Sequence, residues 1–175
     1  SFESRTKPIK VTLDPDFRVF RRLTPNEAPP ILRQIMVDHS TETILLSEMG
    51  DGHDVSRELA GKLLRRTPKI VSLADTDKVT SVLVIGLQDE VSKWLNLNKL
   101  PPRPFNMRRD GTAYAWTIRK DGVTFVVVSA KDVPSLQSLV RPLPHYGRQS
   151  YIVFDGTKAI ERGTWPAHVQ EITLN

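Results

Sequence analysis

The stretch Pro142-Leu143-Pro144-His145-Tyr146-Gly147-Arg148-Gln149-Ser150-Tyr151 gathers the most chemistry-bearing side chains in the sequence. Its prolines fix the backbone, and Gly147 is expected to permit a left-handed turn. His145, Tyr146, Arg148 and Gln149 supply hydrogen-bond donors beside a strand expected to open at Tyr151. Two readings suit these residue types. One is a polar binding surface at a strand edge. The other is a specialised corner in which imidazole and phenol bond backbone carbonyls, because a buried loop must satisfy its polar backbone. The corner is the plainer use of these residues. Trp165, if it lies on the surface, would add a contact with another domain. The candidate interaction surface is therefore His145, Tyr146, Arg148, Gln149 and Trp165.

A second constellation, Gly50-Asp51-Gly52-His53, sits between a strand-like run and a helix. Gly50, Gly52 and His53 form a candidate anion loop, since such a turn can aim backbone N–H groups from a helix N-terminus. The dinucleotide fingerprint is incomplete because position 55 is Val, and Asp51 would repel a phosphate. Of the four histidines, His39, His53, His145 and His168, no two make an H-x-x-x-H pair. A mixed site from Asp38, His39, Asp51, His53 and Asp54 would need its loops to converge, and no metal is expected here. Ser150 follows His145 closely, but the nucleophile-elbow pattern G-x-S-x-G is missing. No catalytic residue is expected from this chain.

The elements that would position these residues alternate in type. Residues 9–13 alternate apolar and polar as a half-buried strand, ended by Asp14-Pro15-Asp16. Thr24-Pro25-Asn26-Glu27 resembles a helix start, cut short by Pro29-Pro30, and residues 31–37 make a short helix or turn. Strands are expected at 43–47, 69–73 and 82–87. A helix capped by Asp54 should run to Arg66, with Val55, Leu59, Leu63 and Leu64 on one stripe. Another should span 90–96. Residues 112–119 and 123–130 flank Lys120-Asp121-Gly122, a strong hairpin signal. Asp132 and Pro134 open a further helix, followed by strands at 151–154 and 158–165. The order predicts an α/β fold with a mixed, mostly parallel sheet covered by helices on both faces. This is a Rossmann-like or flavodoxin-like three-layer arrangement after an extended N-terminal segment. Residues 1–23 read as a linker and the trailing strand of a preceding β domain, and 24–175 as the α/β domain.

A chain of 175 residues can bury roughly 70% of its unfolded surface, so it needs no staple. It has no cysteine, which removes disulfides and thiolate chemistry. The net charge is +5, but the basic residues are scattered in pairs such as Arg21-Arg22, Arg65-Arg66 and Arg108-Arg109. No segment interleaves them with aromatics, so nucleic-acid binding is not expected. No run of about 20 apolar residues is present, so membrane insertion by this segment is not expected either. Ser1 falls inside a polar, strand-like pattern, as in an excised fragment.

Two stretches resemble bacterial membrane-alanyl-aminopeptidase-like zinc metallopeptidases (gluzincins). Leu13-Asp14-Pro15-Asp16-Phe17-Arg18-Val19-Phe20-Arg21-Arg22-Leu23, with Glu27 and Pro29-Pro30-Ile31-Leu32, resembles the junction that follows their catalytic region and β-sandwich. Residues 142–154, with Gly163-Thr164-Trp165-Pro166, resemble a pattern near their C-terminus. The resemblance implies a hydrolase parent that cleaves peptide bonds with a zinc-activated water. The zinc would belong to the catalytic part of that parent, outside this segment. This chain would be its non-catalytic C-terminal accessory module, partnered by the preceding domains or by another protein. A second reading is an independent α/β domain that binds a small ligand or anion.

Overall fold

Ser81–Leu87, the most apolar run, becomes the strand β4 near the middle of the sheet, with all but its last residue buried. The computed structural model describes residues 10–14, 18, 27–47, 50–72, 74, 75, 78–167 and 170–173. The elements are β1 (Lys10–Leu13), α1 (Arg33–Val37), β2 (Glu42–Leu45), α2 (Asp51–Leu64), β3 (Lys69–Ile70), β4 and α3 (Gln88–Leu97). After them come β5 (Ala113–Lys120), β6 (Val123–Ala130), α4 (Val133–Leu139), a 3-10 turn (Leu143–Tyr146), β7 (Tyr151–Asp155), β8 (Lys158–Gly163) and β9 (Gln170–Thr173). No helix among the described residues is long and apolar enough to cross a membrane.

The chain divides into two compact units, residues 30–165 and residues 1–29 with 166–175. In the second, β1 pairs antiparallel with β9, and the Asp14 carboxylate accepts the Arg18 amide at 2.8 Å. The strand expected at the start therefore finds its partner at the other end of the same chain. The expected helix start at Thr24–Asn26 and the boundary near Leu23 lie outside the described residues.

Residues 30–165 carry a seven-stranded mixed sheet in the order β3-β2-β4-β6-β5-β7-β8. The junctions from β3 to β6 are parallel, and those from β6 to β8 are antiparallel. Since β7 opposes β5 and β5 opposes β6, β7 runs the same way as β6. Five of the seven strands thus share one direction, as the α/β expectation required. The β5–β6 hairpin closes on Asp121 and Gly122, with φ of 51° and 81°. Two consecutive positive φ values are what a tight turn between twisted strands demands.

Successive strand residues face opposite sides. Leu83, Ile85, Val126 and Val128 join one buried cluster with Ile35 of α1, Leu59 and Leu63 of α2, and Leu136 and Leu139 of α4. Val82, Val84, Trp116 and Val127 join another with Val91 and Leu95 of α3. Fully burying each large side chain stabilises by about 1.5–3 kcal/mol, so these two layers hold the fold.

Local chemistry sets the ends. The Asp132 carboxylate caps α4 by accepting the Ser135 amide at 2.8 Å. The α2 helix starts four residues earlier than the Asp54 cap predicted, with Gly50 at the cap position. Gly50 takes φ 82° and turns the chain directly into the helix, leaving Asp51 and Asp54 in the first turn. The third strand is also shorter than the 69–73 run suggested. Asp38 accepts Ser40 Oγ at 2.7 Å, Thr80 Oγ1 at 2.6 Å and Ser81 Oγ at 2.6 Å, tying the end of α1 to the start of β4. Partial burial would raise its pKa, but those hydroxyls and the Ser40 amide outweigh it and hold the carboxyl at about 2. The buried Glu42 carboxyl is likewise held below its usual range, by Lys69 Nζ at 2.6 Å and the Asp75 amide at 2.9 Å.

Candidate functional site

The loop after the 3-10 turn is pinned to α1 through the backbone. The Leu32 amide donates to the Gln149 carbonyl at 2.9 Å, and the Arg33 amide to the Gly147 carbonyl at 2.7 Å. Both donors belong to the first turn of a helix, where no intrahelical acceptor exists. Gly147 has φ −54°, so the expected left-handed turn is not there. Its small size has another use. A Cβ at Gly147 would stand 3.1 Å from Met36 Sδ and 3.4 Å from Arg33 Cβ, so glycine lets the loop press onto α1.

This docking creates a cleft of about 560 Å³. It is lined by Arg33, Met36 and Val37 of α1, Arg65 just after α2, residues 144–149, and Arg162 of β8. Four of the lining residues are arginines, each from a different segment, and none is Asp or Glu. All four arginines are exposed, as is His145. Among the described residues, no carboxylate forms an ion pair with Arg33, Arg65, Arg148 or Arg162. Arginine stays charged at any ordinary pH, so the cleft has a permanent positive potential. The Tyr146 ring packs edge-on against Phe154 at 5.6 Å, and the Arg162 guanidinium lies 5.7 Å from its centroid. Tyr146 thereby couples the buried core to one of the cleft's cations.

His145, Tyr146, Arg148 and Gln149, singled out together in the sequence, therefore line one cleft. Trp165 is not with them. It stacks on Tyr151 at 4.6 Å, donates its indole N–H to the Thr117 carbonyl at 3.0 Å, and packs on the other buried cluster. The imidazole and phenol do not act as the corner reading supposed. Among the described residues neither bonds a backbone carbonyl; backbone bonds and the buried Ser150 hold the loop instead. Ser150 is fully buried, and its hydroxyl donates to the Pro30 carbonyl at 2.6 Å. Arg33, Arg65 and Arg162 were missed because nothing in their spacing announces that they meet.

The Gly50 loop has structural work. Gly52 is buried inside α2, where a Cβ would approach Ser47 Oγ to 3.3 Å and Val133 Cγ2 to 3.5 Å. His53 Nδ1 stands 3.7 Å from Asp54 Oδ1, and Ser47 Oγ donates to Glu90 at 2.9 Å. Asp51 and Asp54 already answer the positive end of the helix dipole and oppose an anion there. Among the described residues no three His, Asp or Glu side chains converge; His168 lies outside them.

A second cleft, of about 570 Å³, opens beside α3 at the carboxyl ends of β4 and β6. Arg103 and Trp116 line it, and the sequence did not single out this pairing. No protein-family model matches this chain, and no curated protein matches it.

Proposed function

We propose that this chain is a non-catalytic interaction module whose working surface is the arginine cleft, and that the cleft holds an acidic protein segment. The observation that carries the reading is the convergence of Arg33, Arg65, Arg148 and Arg162 on one hollow without a carboxylate among the lining residues. Guanidinium forks match carboxylates in pairs of charge-assisted hydrogen bonds. Val37, 59% exposed, and Met36 add an apolar wall, so the segment would carry an apolar side chain among its acids. Of the two rings in the lining, Tyr146 is engaged with Phe154 and Arg162, which leaves only the His145 imidazole as a platform for stacked bases and favours protein over nucleic acid. The segment would come from preceding domains of the same polypeptide or from a separate partner. The resemblance to gluzincin peptidases supports a hydrolase parent with its zinc chemistry elsewhere in the protein.

A fluorescent glutamate-rich peptide containing one leucine, titrated into the chain, tests this. Binding should weaken with salt and fall about tenfold or more in Arg148→Glu with Arg162→Glu. Indifference to both, or tighter binding of a single-stranded oligonucleotide than of the peptide, would sink the reading. The small-ligand alternative draws on the α3 cleft.

A further inference from the structure

Trp116 is 1% exposed, yet its indole Nε1 is buried with no hydrogen-bond partner. Buried donors are nearly always paired, so this one is out of the ordinary. Trp116 lines the α3 cleft together with Arg103. The Arg103 guanidinium lies 4.0 Å above the Tyr114 ring. That ring is itself fixed, because the Tyr114 hydroxyl accepts the Gly111 amide at 2.9 Å. Among the described residues no carboxylate pairs with Arg103. The cleft thus combines a positioned cation with an apolar wall of Val91, Leu95 and Leu100 and the side chain of Trp116. Gln88 directly follows β4, and Ser129 stands one residue before the end of β6, so the cleft sits at the carboxyl ends of parallel strands. Open α/β sheets place their ligands at that end. Its volume is within the usual range for small-molecule sites.

We infer that this cleft binds a small carboxylate with an apolar body. The carboxylate meets Arg103, and the apolar part lies against Val91, Leu95 and the Trp116 side chain. A free organic acid and the C-terminal residue of a peptide share this chemistry. The inference uses none of the arginines of the other cleft and stands or falls separately from the acidic-segment reading.

The test follows the indole N–H resonances of the ¹⁵N-labelled chain during titration with N-acetyl-leucine, N-acetyl-leucinamide and a pentapeptide ending in free leucine. The Trp116 resonance should move with N-acetyl-leucine, with the pentapeptide, or with both. The Trp165 resonance, already bonded to Thr117, should stay. Response to the pentapeptide alone identifies a protein terminus as the source; response to N-acetyl-leucine shows that a free acid suffices; both support the site. Arg103→Ala, an exposed substitution, should weaken binding by about tenfold or more, the scale of one charge-assisted bond. A fixed Trp116 resonance with every probe at millimolar concentration overturns the inference. So does equal affinity for the amide, or unchanged affinity in Arg103→Ala.

Discussion

The Ser150 hydroxyl donates to the carbonyl of Pro30 at 2.6 Å, joining positions 120 residues apart in the chain. Thr117 Oγ1 donates to the same carbonyl at 3.0 Å. Two hydroxyls from different strand regions thus hold the entry to α1, and the loop of the arginine cleft rests on that entry. In Ser150→Ala one donor is lost and Thr117 remains. The expected loss of stability is about 1–2 kcal/mol, read by urea unfolding. Any trace esterase activity in the preparation should be the same in this variant, since the hydroxyl serves structure.

Acid should weaken the fold partly through Asp38. Its carboxyl sits at about 2 in the folded chain, against 3.8 for an unperturbed aspartate. The folded state therefore holds its proton less tightly, and the stability this contributes is fully present above the unfolded value. It declines as pH falls through 3.8 toward 2. Asp38→Asn should lower the Tm at neutral pH, and the gap from wild type should narrow in that acid window. A gap independent of pH would assign the loss to packing alone.

Gly111 is the glycine whose replacement should be least tolerated. A Cβ there would fall 2.3 Å from the Phe154 carbonyl oxygen and 2.6 Å from Val153 Cγ1. That same carbonyl accepts the Thr112 amide at 2.8 Å, so it cannot retreat freely. Gly111→Ala should cost about 3 kcal/mol, measured by thermal or urea unfolding. Gly61, where the nearest atom to such a Cβ is the Arg66 carbonyl at 3.9 Å, is the matched control, and Gly61→Ala should be neutral or stabilising.

Trp165 separates stability from binding. Trp165→Ala removes a ring stacked on Tyr151 and a donor to Thr117, and should destabilise by about 2–4 kcal/mol. Because Trp165 packs on the other buried cluster, affinity for the acidic peptide should stay within about twofold at a temperature where the variant is folded. A loss comparable to that from the arginine substitutions would return Trp165 to the interaction surface.

Much of this was legible in the residues where the signal is local. Asp121-Gly122 announces its hairpin because few other residues tolerate two positive φ values in succession. Asp132 and Pro134 announce α4 because cap and first-turn proline act within one turn. Apolar runs located β4 and β6 for the same reason. Strand neighbours were not legible. That β6 lies against β4, and that β7 crosses past β5 to pair with its far edge, depends on which edges meet in space. The β1–β9 pairing joins the two ends of the chain and has no local signature. At the cleft, residues 145–149 drew attention because they are adjacent in sequence. Arg33, Arg65 and Arg162 come from three separate segments and become a site only when the loop docks on α1.

Arg65 ends α2 with φ 53°, a left-handed backbone that glycine adopts freely and an arginine adopts at a cost of about 1 kcal/mol. The same residue lends its guanidinium to the cleft. Directed evolution toward heat resistance alone would drift to glycine at this position, hardening the helix terminus while thinning the positive field. A hardier chain recovered that way would be a poorer receptor, and the trade would go unseen unless binding were assayed alongside melting.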